Sequence, residues 1–182
     1  MKRYQYNAGV EKIDEWLTAA KKLRKLIDEG TRGAVDIQSA DWYARKKAQC
    51  HLIGTPAEPV AVYAVTEELE LVTLIKSPKS IVLGGWLVCD AVVHGAAWLM
   101  CLDTEKLNDL YTKAGFRRVA DMPWDESLAP EKWDYTRHGR PYLSFYVHIN
   151  YLSKSALDTY QGGRFMSSSY EDAEARVKRL IE

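Results

Sequence analysis

Net charge is the first thing this chain lacks: Lys and Arg together number 25, and so do Asp and Glu. Bulk, sequence-independent binding to nucleic acid rests on neutralising phosphates, so a balanced chain loses the main reason for it, while a local basic patch remains compatible with the balance. Cysteine is scarce, and Cys50, Cys89 and Cys101 are an odd set in apolar surroundings. No Cys-x-x-Cys pair and no His-rich cluster offers metal-ligand spacing, so the thiols read as buried and free, in a reducing compartment. The amino-terminal residues carry no apolar signal-peptide core. The longest apolar run, 81–102, is broken by Gly84, Gly85, Asp90, His94 and Gly95, which excludes a membrane span there. A cytoplasmic location with no membrane partner is the expectation. Internal repeats and low-complexity tracts are missing too.

What is present is the material of one folded domain. A length of 182 residues, a hydrophobic fraction of 47% and six tryptophans allow a substantial core. Val10, Ile13, Leu17, Ala20, Leu23 and Ile27 recur at helical spacing before Gly30, which predicts an amphipathic amino-terminal helix within 1–30, with Lys21, Lys22, Arg24 and Lys25 on its solvated face. A short strand is expected at 34–38, then a brief helix capped by Ser39, then strands at 48–53 and 60–66 joined by the turn-rich 54–59. Residues 69–75 are apolar and β-branched and predict a central strand buried on both faces.

After the polar break at 76–80 a helix buried on most sides is expected at 82–94, then a strand at 98–102. Thr104 caps the next helix, which Gly115 ends. Strands at 116–120 and 143–149 and a helix at 169–181, packed on the outside, complete the list. The order implies a mixed α/β (α+β) fold whose mostly antiparallel sheet has helices on both faces. A core spans 33–149 within the single domain 1–182, and 150–182 forms a carboxy-terminal extension.

The chemistry concentrates where the strand at 69–75 opens through a polar loop onto a helix. A helix amino terminus presents free N–H groups and the positive end of its dipole, Gly84 and Gly85 permit close approach, and Lys76 and Lys79 add charge. Such a site suits a pyrophosphate; a tight strand–helix turn with no ligand explains the same residues. The scattered histidines offer no evident base, and His148, in an apolar strand, reads as a core residue. Cys89 and His94 point apart on a helix, which excludes a thiol nucleophile paired with that imidazole.

The run Leu110-Tyr111-Thr112-Lys113-Ala114-Gly115-Phe116 resembles the Leu-Tyr-x-x-x-Gly-Phe pattern that ends the penultimate helix of the GNAT N-acetyltransferase superfamily. The element order agrees from about 33 to 148. The later blocks Trp124-Asp125-Glu126, Trp133-Asp134-Tyr135 and Gly139-Arg140-Pro141 are similar to GNAT-like domains of bacteriophages and mobile elements, which implies a phage source and a host cytoplasm. The resemblance implies acetyl-CoA as co-substrate, held by Leu74, Ile75, Lys79, Ser80, Ile81, Gly84, Gly85, Trp86 and Thr104. It makes Tyr111 the general acid that protonates the departing thiolate, a role open to a phenol. Glu70 becomes the better candidate for a general base, although an exposed strand end explains it equally well.

Two departures bear on the donor site. The family's loop carries Arg or Gln followed by Gly-x-Gly or Gly-x-Ala, where this chain has Lys79-Ser80-Ile81-Val82-Leu83-Gly84-Gly85, and Thr104 replaces a frequent asparagine. Cofactor binding is thus implied by topology more than by side chains. The long 122–141 loop offers Trp124, Trp133, Tyr135, Arg137 and Arg140 as an acceptor site, its aromatics able to stack on a base or sugar and its arginines to meet phosphate; a lid packed by its own tryptophans is the other reading. Three functions follow: an acyl-CoA-dependent transferase acting on an amine of a protein, small molecule or nucleobase; an inactive GNAT-like module that captures a host protein; and an acyltransferase acting on nucleic acid.

Overall fold

The computed structural model describes residues 3–7, 12–27, 35–129, 133–154, 156 and 165–181. In chain order the elements are β1 (Arg3–Asn7), α1 (Ile13–Arg24), α2 (Ala40–Arg45), β2 (Gln49–Gly54), β3 (Pro59–Val65), β4 (Leu71–Lys76) and α3 (Gly84–Val93). There follow β5 (Trp98–Leu102), α4 (Glu105–Lys113), β6 (Phe116–Met122), α5 (Tyr135–His138), β7 (Leu143–His148), β8 (Phe165–Met166) and α6 (Tyr170–Leu180), with short 3-10 turns at Glu126–Leu128 and Ile149–Tyr151. No described helix is long and apolar enough to cross a membrane.

Alternation along the strands decides which helix covers which face. Cys50, Leu52, Val62 and Ala64 point to one side, where α1 supplies Trp16, Leu17, Ala20 and Leu23 and α2 supplies Tyr43. Ile53, Ala61, Tyr63 and Val65 point to the other, under Leu87, Val88 and Ala91 of α3 and Tyr111 of α4. The same rule divides the second half of the molecule: Phe145 and Val147 meet Ala173 and Val177 of α6, while Tyr146 between them faces Tyr111.

These strands form two four-stranded sheets, ordered β1-β2-β3-β4 and β5-β7-β6-β8, antiparallel except for the β6–β8 pair. The mixed, mostly antiparallel arrangement with helices on both faces is the one expected. β4 and β5 lie where the sheets meet. Among the described residues their backbones pair at one point, the parallel bridge of Glu70 with Trp98. Three further bonds tie that hinge: Ala97 N and Trp98 N donate to Leu69 O at 2.8 and 3.2 Å, and Trp98 Nε1 donates to Glu68 O at 2.9 Å. Beyond it the two strands separate.

The expected elements recur with corrections. α1 ends at Arg24, and Lys25–Ile27 form a turn; Val10 and Gly30 lie outside the described residues. The segment expected as a strand at 34–38 pairs with no strand over 35–38, and Ala34 lies outside the described residues. Its Asp36 O instead accepts a bond from Thr73 Oγ1 at 3.1 Å, and Val35 and Ile37 pack on the α1 core. β4 is not buried on both faces: Leu71 and Ile75 are, but Val72, Thr73 and Leu74 are half-buried. α3 buries only Leu87, Val88 and Ala91 and leaves Cys89 and Val93 exposed, so it covers the sheet with one face rather than most of its surface.

Caps fall where the sequence put them. Ser39 Oγ accepts from Trp42 N at 3.2 Å, and Thr104 Oγ1 accepts from Leu107 N at 3.4 Å. Gly115, which turns the chain from α4 into β6, has φ +94, and a Cβ there would lie 2.7 Å from Nε2 of the buried His148. Gly115→Ala is therefore expected to cost about 1–3 kcal/mol. The measurement is a urea melt, with a lower midpoint and an unchanged slope.

Candidate active site

The divergence of β4 from β5 opens a cavity of about 610 Å³. A bulge shapes its first wall. Val62 pairs with Ile75 and Ala64 with Val72, so Thr73 and Leu74 together oppose Tyr63. Thr73 takes φ +54, a left-handed conformation uncommon for a β-branched residue. Its hydroxyl is fixed by Asp36 O and, at 2.6 Å, by Tyr43 Oη, and these bonds hold the strained turn in place.

Glu70 lies at the closed end of this cavity. It is 8% exposed, so the strand end that carries it is not a surface one. Among the described residues its carboxylate has no hydrogen-bond partner. Burial raises its pKa to about 7; Lys46 and Lys178 pull it down, and Glu174 and Glu68 push it up. On the α4 side the same cavity reaches Tyr111, 7% exposed, whose ring meets Phe116 and Tyr146 with centroids 6.1 and 5.9 Å away. The Tyr111 hydroxyl also has no hydrogen-bond partner among the described residues, and burial raises its pKa, first by desolvation. Cys101 lines the same space, but burial raises its thiol to about 12, so it stays neutral and is no nucleophile at physiological pH.

A polar network clamps the helix that carries Tyr111. Arg118 of β6 donates to both oxygens of Asp103, at 2.8 and 2.6 Å, and to Asp121 at 2.5 Å. Asn108 of α4 donates to Asp103 at 2.7 Å and accepts from the Tyr146 hydroxyl. These bonds tie α4 to β6 and β7, so the position of Tyr111 is set by two strands as well as by its own helix.

A second cavity, of about 690 Å³, runs along the amino end of α3 and one side of α4. It shares Ile27, Leu74, Lys106 and Leu107 with the first, so the two lie side by side. Leu83, Gly84, Gly85 and Trp86 line it, and no side chain caps the helix at Leu83 nor does an acidic residue occupy its first turn. A Cβ at Gly85 would meet nothing within 4 Å. Lys76, Lys106 and Lys113 border the groove, Lys113 also pairing with Asp109 at 2.7 Å. Uncapped N–H groups, a first helical turn with no acidic residue, and Lys76 and Lys106 make a site for an anion, while Asp109 on the same lining is paired with Lys113.

The expected site residues divide accordingly. Leu74, Ile75, Gly84, Gly85 and Trp86 line the groove, whereas Thr104 lies on the first cavity as the α4 cap. Lys79, Ser80 and Ile81 line neither; Ser80 Oγ accepts from Val82 N at 3.0 Å, and Ile81 is 97% exposed. In the 122–141 loop Trp133 lines the first cavity, stacks on Trp124 with centroids 5.1 Å apart and donates to Gly139 O at 3.0 Å. Tyr135, Arg137 and Arg140 are outside it. Both Tyr135 and Arg140 bond to Glu126, and the Arg140 guanidinium lies 4.8 Å over the Tyr135 ring. The loop's tryptophans thus pack on one another, and its arginines do not reach the cavity. Sequence reasoning did not assign Lys106 and Lys113 of α4, Trp42 of α2 or Tyr170 of α6, which reach these walls from three helices.

The cysteine and histidine readings are resolved too. Cys50 is buried, Cys89 exposed and Cys101 between them, all three free, so the expectation of buried thiols fails for Cys89. His94 Nδ1 faces Asp90 O at 2.7 Å and Tyr63 Oη at 3.2 Å rather than Cys89. His148 is a core residue, packed on Phe116 and accepting from Asn150 N at 3.3 Å.

No protein-family model matches the chain, and no curated protein matches it in sequence. Solved structures do. An N-acetyltransferase from Staphylococcus aureus Mu50 superposes with a TM-score of 0.51 at 5% identity, over 81% of this chain and 97% of that one. A probable acetyltransferase from Staphylococcus epidermidis gives 0.51 at 9% identity, over 81% and 98%. The ribosomal-protein-S18-alanine N-acetyltransferase of Escherichia coli gives 0.50 at 14% identity, over 81% and 93%. The chain has the fold of the GNAT superfamily, as the motif around Tyr111 implied.

Proposed function

We propose that this protein is an acyl-CoA-dependent N-acyltransferase. The observation that carries the reading is that the Glu70 carboxylate and the Tyr111 hydroxyl, neither with a hydrogen-bond partner among the described residues, line one cavity that adjoins the groove at the α3 amino terminus. The groove suits the phosphates of a coenzyme A thioester, with Gly84, Gly85 and Trp86 N–H groups and Lys76 and Lys106 as partners. Its junction with the first cavity, at Leu74 and Leu107, suits the apolar arm that leads to the thioester.

The chemistry follows from the two groups at the end of that path. An amine attacks the thioester carbonyl as Glu70 accepts its proton, and collapse of the tetrahedral adduct expels a thiolate that Tyr111 protonates. A carboxylate near 7 suits a base working at neutral pH. The phenol, its pKa raised by burial, keeps its proton until the thiolate forms.

Gly85→Val separates binding from folding. The added Cβ enters open space and glycine is replaced in a helix, so stability should stay within about 0.5 kcal/mol of the native value. It would nonetheless block close approach of phosphate to the helix end. Amine-dependent release of free thiol from acetyl-CoA is expected for the native chain and a rise in KM for acetyl-CoA of at least about tenfold for the variant. No thiol release with any primary amine, or an unchanged KM in Gly85→Val, would oppose the reading.

A further inference from the structure

We propose that the acceptor is a cationic primary amine bearing an aromatic or alkyl group and no carboxylate or phosphate of its own. The inference rests on the reading of the protein as an N-acyltransferase and concerns the part of the first cavity away from the groove. Three aromatic walls enclose that part, and each comes from a different element: Trp42 from α2, Trp133 from the 122–141 loop and Tyr170 from the carboxy-terminal α6. Two carboxylates, Glu70 and Asp36, line it together with the His138 imidazole; among the described residues Lys106, shared with the anion groove, is the one lysine on the lining and no arginine is on it.

Buried and without a hydrogen-bond partner among the described residues, Glu70 would gain most from an ammonium group, because a charge out of water is stabilised chiefly by a paired opposite charge. Tyr170 lines the same cavity as Glu70, and a cation that meets both the ring and the carboxylate is favoured there. An acceptor with its own acidic group would bring a second anion into the same desolvated space, and repulsion there discriminates strongly. Arg137 and Arg140 of the 122–141 loop are not on the lining, and Arg140 pairs with Glu126. Tyr170 of α6 thus completes the acceptor wall.

The test is calorimetric binding of 2-phenylethylamine and of L-phenylalanine, which differ by one carboxylate, to the full chain with and without acetyl-CoA. The amine should bind at least about tenfold more tightly than the amino acid, Glu70→Gln should weaken it by a similar factor, and Asp36→Asn, an exposed change that leaves the core intact, should weaken it less. Equal or tighter binding of phenylalanine, an amine affinity unchanged in Glu70→Gln, or no amine binding in either state overturns the proposal. Acetyl-CoA is titrated separately: if it fails to bind while the amine binds as described, the acyltransfer reading falls and the cation site stands.

Discussion

Glu70→Gln is expected to lower kcat by about 10²–10³-fold and, at pH 8, to raise the melting temperature. The two effects have one cause. Glu70 is buried, and its carboxyl titrates near 7 rather than at its ordinary 4.5 because the folded state disfavours its charge. The folded protein therefore holds this proton over a range where the unfolded chain has released it. Stability from the neutral carboxyl is complete below about pH 4.5 and is lost as pH rises through 7. By pH 8 the cost of the ionised group reaches about 3 kcal/mol, which glutamine removes. At about 2–4 °C per kcal/mol for a chain of this size, the variant should melt several degrees higher at pH 8 and coincide with the native protein at pH 4.

Turnover runs the other way, since the base works only when ionised. For the native chain kcat/KM should fall about tenfold per pH unit below 7, and Glu70→Gln should lose that limb. Lys46 and Lys178 oppose the upward shift while Glu68 and Glu174 add to it, so Lys46→Ala should move the limb to higher pH. A Glu70 that merely held the strand in place would give the opposite result, a lower melting temperature with a pH profile unchanged.

Tyr111→Phe carries the second large effect, a fall in kcat of about 10²-fold with KM for the thioester unchanged. The ring keeps its contacts with Phe116 and Tyr146, and its hydroxyl surrenders no hydrogen bond among the described residues. Stability should stay within about 1 kcal/mol of the native value. Because burial raises the phenol's pKa, no alkaline limb below pH 10 should belong to Tyr111. A stability loss with kcat intact would make the residue a packing element only.

Much of this arrangement was legible in the sequence because it follows local rules. Thr104 and Gly115 mark the ends of α4, and the alternation in 48–66 gives the hairpin and its two faces. β1 was missed because Arg3, Tyr4, Gln5, Tyr6 and Asn7 have no apolar stripe, and pairing with β2 supplies what pattern does not. β8 is two residues long and exists through its parallel pairing with β6. The error on β4 has a different origin. Its apolar residues read as core on both faces, yet Val72 and Leu74 face a cavity, and the walls of an apolar pocket have the composition of a core.

The site divides in the same way. Tyr111, Gly84 and Gly85, expected from contiguous motifs, line the cavities, and so does Glu70, expected from its place at the start of a strand, although only the fold shows it buried. Arg137 and Arg140 suggested phosphate recognition by composition, yet neither lines a cavity, and Arg140 pairs with Glu126, fourteen residues back. Trp42, Lys106 and Tyr170 converge from three helices, a relation that no spacing encodes.

The central claim is that the groove at the α3 amino terminus and the β4–β5 opening together hold an acyl-CoA. Titration of acetyl-CoA into the full chain, followed by calorimetry, tests it most directly. One equivalent should bind, and at 100 times Kd it should stabilise the fold by about 2.7 kcal/mol, with Gly85→Val folded but unresponsive. A native chain that takes up no acetyl-CoA at millimolar concentration, or a Gly85→Val variant that binds it equally well, would contradict the claim.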